Sequence, residues 1–128
     1  MEISFGKTSD IDSWMELVTK VKDDFPGLET REALKEHRRT VLEFIDKESA
    51  ICAKYHNKIV GVLLFSKEHH MICFLAVDMA YRRQHIAENM VSYMLTVMDQ
   101  KKISWLQHIG RAYQKASLQG HFTSDAVL

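Results

Sequence analysis

Apolar residues recur along this chain first at the period of strands and then at the period of helices. Ile3 and Phe5 alternate with polar neighbours, which predicts a short first strand. Ile11, Trp14, Met15, Val18 and Val21 follow at helical spacing, so residues 10–23 form an amphipathic helix, with Ser9 and Asp12 spaced as a capping box. Phe25-Pro26-Gly27 ends that helix, because proline cannot continue it and glycine permits the turn. Thr30 stands at the cap position of a second helix over about 31–47, whose inner face carries Leu34, Val41, Leu42 and Ile45. Residues 50–55 and 58–65 flank His56-Asn57, a tight polar turn that predicts a hairpin. The run Met71 to Val77 is continuous and apolar, as expected of a central strand covered on both faces. A third helix over about 84–99 puts Ile86, Ala87, Met90, Val91, Met94, Leu95 and Met98 on one stripe, where the methionines read as packing.

Beyond residue 100, Ile103 to Leu106 offers a fifth strand and Gly110 to Leu118 a short helix; 120–128 has no clear period. The order β-α-α-β-β-β-α predicts an α/β fold: a mixed, largely antiparallel central sheet with helices on both faces, its C-terminal strands short or missing.

Composition narrows the function classes. The chain has 128 residues, 46% hydrophobic and 27% charged, which predicts one globular domain over 1–128, atypical after about 107. Seventeen basic residues balance 17 acidic ones, so nothing global attracts nucleic acid or an anionic membrane, and any anion site must be local. Neither a leader pattern nor an apolar run of membrane-spanning length is present in the sequence, and a cytoplasmic location is the expectation. Cys52 and Cys73 lie in apolar strand-like runs and read as reduced core thiols. His69 and His70 are adjacent on an extended chain and face opposite ways, and no zinc-type ligand set completes them, so no metal is expected.

One segment concentrates the candidate chemistry. The strand ending at Val77 runs through Tyr81-Arg82-Arg83-Gln84 directly into the third helix. First-turn amides lack intrahelical partners and the helix dipole adds partial positive charge there, so an Arg-rich turn at that point is a natural phosphate site.

The element order and this strand–turn–helix resemble the GNAT superfamily of acetyl-CoA-dependent N-acetyltransferases, over roughly residues 1–106. The family's signature is Arg/Gln-x-x-Gly-x-Gly/Ala at the start of the third major helix. Here it reads Arg82-Arg83-Gln84-His85-Ile86-Ala87: the leading Arg and final Ala fit, and His85 replaces the first Gly. Glycine there lets the backbone approach a pyrophosphate without a Cβ in the way; a histidine can crowd the phosphate, point away or donate a hydrogen bond.

The resemblance implies acetyl-CoA as cosubstrate, with its pantetheine arm along main-chain atoms of Leu75, Ala76 and Val77, and its pyrophosphate at Arg82, Arg83, Gln84, His85, Ile86, Ala87 and Glu88. It implies direct attack of a neutral amine, of a small molecule or a peptide, on the thioester. A strand N–H near Leu75 would polarise the carbonyl. Glu68, beside His69 and His70, is the candidate base, with a solvated loop as the alternative reading. Asp78, the other nearby carboxylate, has turn capping as its plainer role. Arg111-Ala112-Tyr113-Gln114-Lys115 is similar to the family's fourth-helix pattern, which makes Tyr113 the candidate acid for the thiolate. Asp23, Asp24 and Glu29 flank the connection that lines the acceptor site in the family, as an acidic rim or a plain surface loop.

Family members usually finish with two further strands, and this chain reaches Leu128 with at most one. An exposed fifth strand would invite pairing, so a homodimer exchanging C-terminal segments is expected. Two function classes stand: an N-acetyltransferase, and a catalytically impaired acyl-CoA-fold binding or structural protein.

Overall fold

A computed structural model describes residues 1–98. Its four strands, β1 (Glu2–Phe5), β2 (Ala50–Tyr55), β3 (Lys58–Ser66) and β4 (Met71–Val77), form one sheet in the order β1-β2-β3-β4, antiparallel throughout. Helices α1 (Ile11–Val21) and α2 (Arg31–Asp46) cover one face, and α3 (Ile86–Val97) covers the other. The antiparallel α/β architecture with helices on both faces is the one expected. Among the described residues, no helix is long and apolar enough to cross a membrane.

Each element follows from its sequence. The β2–β3 turn puts both His56 (φ 48°) and Asn57 (φ 66°) in the left-handed region, as a two-residue hairpin turn requires. Thr30 caps α2 by accepting from the Ala33 N–H at 3.0 Å. Trp14, Leu17, Val18 and Val41 pack under α1 and α2, against Cys52, Val62, Leu64 and Ala76 of the sheet. Ile86, Ala87, Met90, Val91 and Met94 of α3 pack on Ile51, Val60, Leu63, Phe65, Leu75 and Val77.

Three expectations need correction. The Ser9/Asp12 capping box is not the start of α1: a single 3-10 turn, Thr8–Asp10, precedes it, and the Asp10 carboxylate accepts from the Lys7 N–H at 2.9 Å. Helix α3 begins two residues later than predicted, because His85 takes a left-handed conformation that a helix cannot include. Strand β4 is buried on both faces only over Leu75–Val77, with Met71 44% exposed and Cys73 exposed rather than in the core. A register shift explains Cys73: Leu64 pairs with Phe74 but Phe65 pairs with Ile72, so Cys73 is the extra, bulged residue of β4.

A second bulge bears on the opposite strand. Ala53 pairs with Gly61 and Lys54 with Ile59, which leaves Val60 unpaired in β3. Val60 and Gly61 then both meet α3, and there is no room for a larger residue at Gly61. A Cβ there would lie 2.9 Å from Ile86 Cγ2 and 2.9 Å from Met90 Cε. The methionine tip can move, but the β-branched isoleucine cannot do so cheaply. Gly61→Ala is expected to destabilise the protein by about 1–2 kcal/mol, read as a lower denaturation midpoint in urea at unchanged slope. An unchanged or higher midpoint would show that α3 does not rest on this glycine.

Candidate functional site

The end of β4 and the start of α3 are joined by eight residues that fold as a tethered turn. Asp78 opens it. Its carboxylate accepts from the Ala80 N–H at 3.0 Å, capping a 3-10 turn over Met79–Tyr81, and forms an ion pair with Lys20 of α1 at 2.9 Å. The capping role expected of Asp78 is the one observed. Burial works to raise this carboxyl, but the Ala80 N–H and the Lys20 and Lys58 charges outweigh it and hold it below the usual 3.8. Tyr81 stacks on Tyr55 with ring centres 5.4 Å apart, and the Tyr55 hydroxyl donates to Gln84 Oε1 at 3.3 Å.

The turn then reverses through two left-handed residues, Arg83 (φ 69°) and His85 (φ 61°). His85 is the position where the signature has glycine, and the backbone explains the preference: positive φ is free for glycine and costs another residue about 1 kcal/mol. Histidine is among the residues that tolerate it best. Its Nδ1 lies 2.7 Å from the Glu88 carboxylate, so N-cap and N3 side chains close on each other at the head of the helix. Among the described residues, no backbone carbonyl accepts from the amides of Ile86, Ala87 or Glu88. Three donors at the positive end of a helix, beside the exposed Arg83 and Gln84, make an anion cradle.

Arg82 is placed differently from its neighbours. Its Nε–H donates to Val77 O at 3.3 Å and its guanidinium stands 3.8 Å from Asp24 Oδ2, with only 11% of the side chain exposed. The side chain turns back beneath the turn, toward the α1–α2 connection.

Alternation of the ladder decides which β4 groups are available. The Asp78 N–H donates to Val60 O at 2.8 Å, one step past the Gly61–Val77 pair. Gly61 and Val77 therefore face each other without exchanging bonds. The main-chain groups of Val77 and Leu75 point away from β3, and those of Ala76 point into it. Val77 O is engaged by Arg82, and among the described residues no strand lies on the outer side of β4.

Glu68 is exposed in the β3–β4 turn, at the opposite end of β4 from the Arg-rich turn. Even Met71, three residues nearer, is about 13 Å from Leu75 along a strand, so the structure does not bring Glu68 to the cradle. Tyr113, the fifth strand and the C-terminal segment expected to exchange in a dimer lie outside the described residues.

The face of β4 under α2 carries a group that the sequence reading passed over. His37 packs at a tilt of 56° against Phe74 with ring centres 4.7 Å apart, and Phe25 of the α1–α2 connection meets the same Phe74 at 4.5 Å. His37 lies three residues after Leu34 and four before Val41, in phase with the inner face of α2, and that spacing could have revealed it. Its Nε2 is buried with no hydrogen-bond partner among the described residues.

Residues 14–118 match the family model of the Acetyltransferase (GNAT) family. Among solved structures, an acetyltransferase of the GNAT family from Bacillus cereus ATCC 10987 is similar to this chain with a TM-score of 0.57 and 21% identity, over 73% of this chain. The aligned region spans 61% of that protein's chain, and at that identity the likeness is one of fold. No curated protein matches the chain.

Burial alone holds the His37 imidazole below its ordinary 6.5. A lowered folded-state value means that the unfolded chain takes up the proton first. The stabilisation is therefore complete above pH 6.5 and is lost as pH falls through the folded value. Thermal unfolding between pH 7.5 and 5.5 should show a fall in midpoint that is shallower in His37→Phe, which keeps the ring; identical slopes would contradict the burial.

Proposed function

The chain belongs to the acetyltransferase (GNAT) family, and from that membership we propose that it transfers an acetyl group from acetyl-CoA to a primary amine of a small molecule or peptide. The observation that carries the proposal is the cradle of α3 amides, which no backbone carbonyl among the described residues engages, eight residues beyond a strand on whose outer edge no described strand lies.

In this reading the pyrophosphate sits on the amides of Ile86, Ala87 and Glu88, with Arg83 supplying charge and Gln84 and His85 lining the rim. The pantetheine arm runs along the outer edge of β4 against Leu75 and Val77, with Ala76 forming the floor between them. The thioester carbonyl accepts from the Leu75 N–H, two residues beyond the Cys73 bulge that interrupts regular pairing. The neutral amine nitrogen attacks the carbonyl carbon, the C–S bond breaks, and the sulfur leaves as thiolate. One proton leaves the amine and one is taken up by the thiolate, so acid and base are both required. Tyr113 is the proposed acid. Glu68 serves as base only through a water relay, given its distance from Leu75.

A binding protein without turnover is the second reading, favoured by the lack of a carboxylate close to Leu75 on β4 among the described residues. Thiol release from acetyl-CoA separates the two. With a panel of polyamines, aminoglycosides and peptides, an enzyme releases CoA with at least one acceptor, whereas a binding protein releases it with none.

Two further outcomes test the placement. Alkylation of native protein with iodoacetamide should modify Cys73 and spare Cys52, which is buried and whose thiol burial pushes up to about 11. Saturating CoA should slow the Cys73 reaction, and an unchanged rate would move the pantetheine off β4. His85→Gly relieves the left-handed strain and removes the side chain above the cradle. Tighter CoA binding by calorimetry would show that His85 obstructs the phosphate, and weaker binding that it contributes a contact.

A further inference from the structure

The strained part of the turn before α3 is bracketed by a single side chain from another strand. Arg83 and His85 are both left-handed, with Gln84 between them. Histidine is among the residues that tolerate this conformation and arginine is not, and such strain persists only where the surroundings hold it. Tyr55, the last residue of β2, supplies a hold on each side. Its ring stacks on Tyr81, ahead of the two arginines, with centres 5.4 Å apart and planes 23° from parallel. Its hydroxyl donates to Gln84 Oε1 at 3.3 Å, beyond them.

Tyr55 is itself firmly placed. It pairs with Lys58 across the hairpin, whose two turn residues, His56 and Asn57, fix the register. Both tyrosines pack against the core under α3. The grip therefore refers the turn to the same layer that supports the helix head, which rests on Gly61 of β3. The bond also has a direction. With Oε1 accepting from Tyr55, the two amide donors of Gln84 lie on the other side of the group, and the side chain is exposed. Those N–H groups add to what the amides of Ile86, Ala87 and Glu88 offer an anion.

We propose that Tyr55 is a positioning residue for the anion cradle: its hydroxyl, through Gln84, holds Arg83 and His85 left-handed and turns the Gln84 donors toward the phosphate. The proposal rests on the cofactor reading given above, and Tyr55 itself touches no ligand in it. A hydrogen bond and the strain of one left-handed residue are of similar size. Loss of the hydroxyl therefore loosens the turn without unfolding the protein. The cost falls on binding, where the turn must be ordered again. Tyr55 and Gln84 are 29 residues apart, so the sequence gives no local sign of the role.

Calorimetry of the full chain with CoA tests this in two backgrounds. Tyr55→Phe keeps the stacked ring and removes only the hydroxyl. It should weaken CoA binding roughly three- to tenfold. In a Gln84→Ala background, which already lacks the acceptor, the same substitution should change CoA affinity by less than about twofold. Wild-type affinity in Tyr55→Phe would show that the hydroxyl holds nothing. An equal loss in both backgrounds would show that Tyr55 acts through packing alone. Either result overturns the proposal. A wild type that does not bind CoA overturns the cofactor reading itself, and this role with it.

Discussion

The first turn of α3 rests on Gly61 with no side chain between helix and strand, and the geometry of the candidate site depends on that contact. Ile86 and Met90 approach so closely that even a methyl group at Gly61 would meet them at 2.9 Å. The approach fixes the height of the helix head above the sheet. It also fixes how far the chain must travel from Val77 to Ile86, and so how tightly the intervening residues must turn. The left-handed conformations of Arg83 and His85 follow from that short path. A helix set farther out would leave room for a looser connection, without convergent amides.

The turn is held from several directions by interactions of modest individual strength. A capped 3-10 turn, a tyrosine stack, a hydroxyl–amide bond and a partly covered ion pair each contribute on the order of 1 kcal/mol or less. Their value is directional. The Tyr55 contacts hold the turn from the α3 side, while Lys20 and Asp24 hold it from the α1 side. A site for a charged ligand gains from such pre-ordering, because the entropy of fixing the loop is not charged to binding. The bulges complete the arrangement. The bulged Val60 packs against α3, and Cys73 interrupts β4 two residues before Leu75, whose N–H points away from β3 and can donate to a carbonyl.

Much of the scaffold was legible from periodicity. The strands over 50–55 and 71–77 and the His56-Asn57 turn were read with their boundaries, because alternation and turn chemistry agreed there. The helix starts were less legible. Ser9 and Asp12 have the composition of a capping box, yet Asp10 makes the bond, because the chain enters through a 3-10 turn that composition does not announce. The apolar run around Cys73 suggests a core thiol, because a bulge leaves no mark in such a run and shows only as a shift in pairing. The same limit applies to Arg82. Its position in the signature suggests phosphate, and only the three-dimensional path shows the guanidinium committed to Val77 and Asp24. His85 was visible as an anomaly, and the positive φ supplies the reason that the position favours glycine.

In the proposed function, the head of α3 and the outer edge of β4 form one acyl-CoA site. Amide chemical shifts of ¹⁵N-labelled protein titrated with CoA test it residue by residue. The largest changes should fall together on Ile86, Ala87 and Glu88 and on Leu75, with the β2–β3 turn at His56 and Asn57 unaffected. Changes at the α3 head without Leu75 would reduce the site to a phosphate cradle, and no change at either would mean that CoA does not bind there.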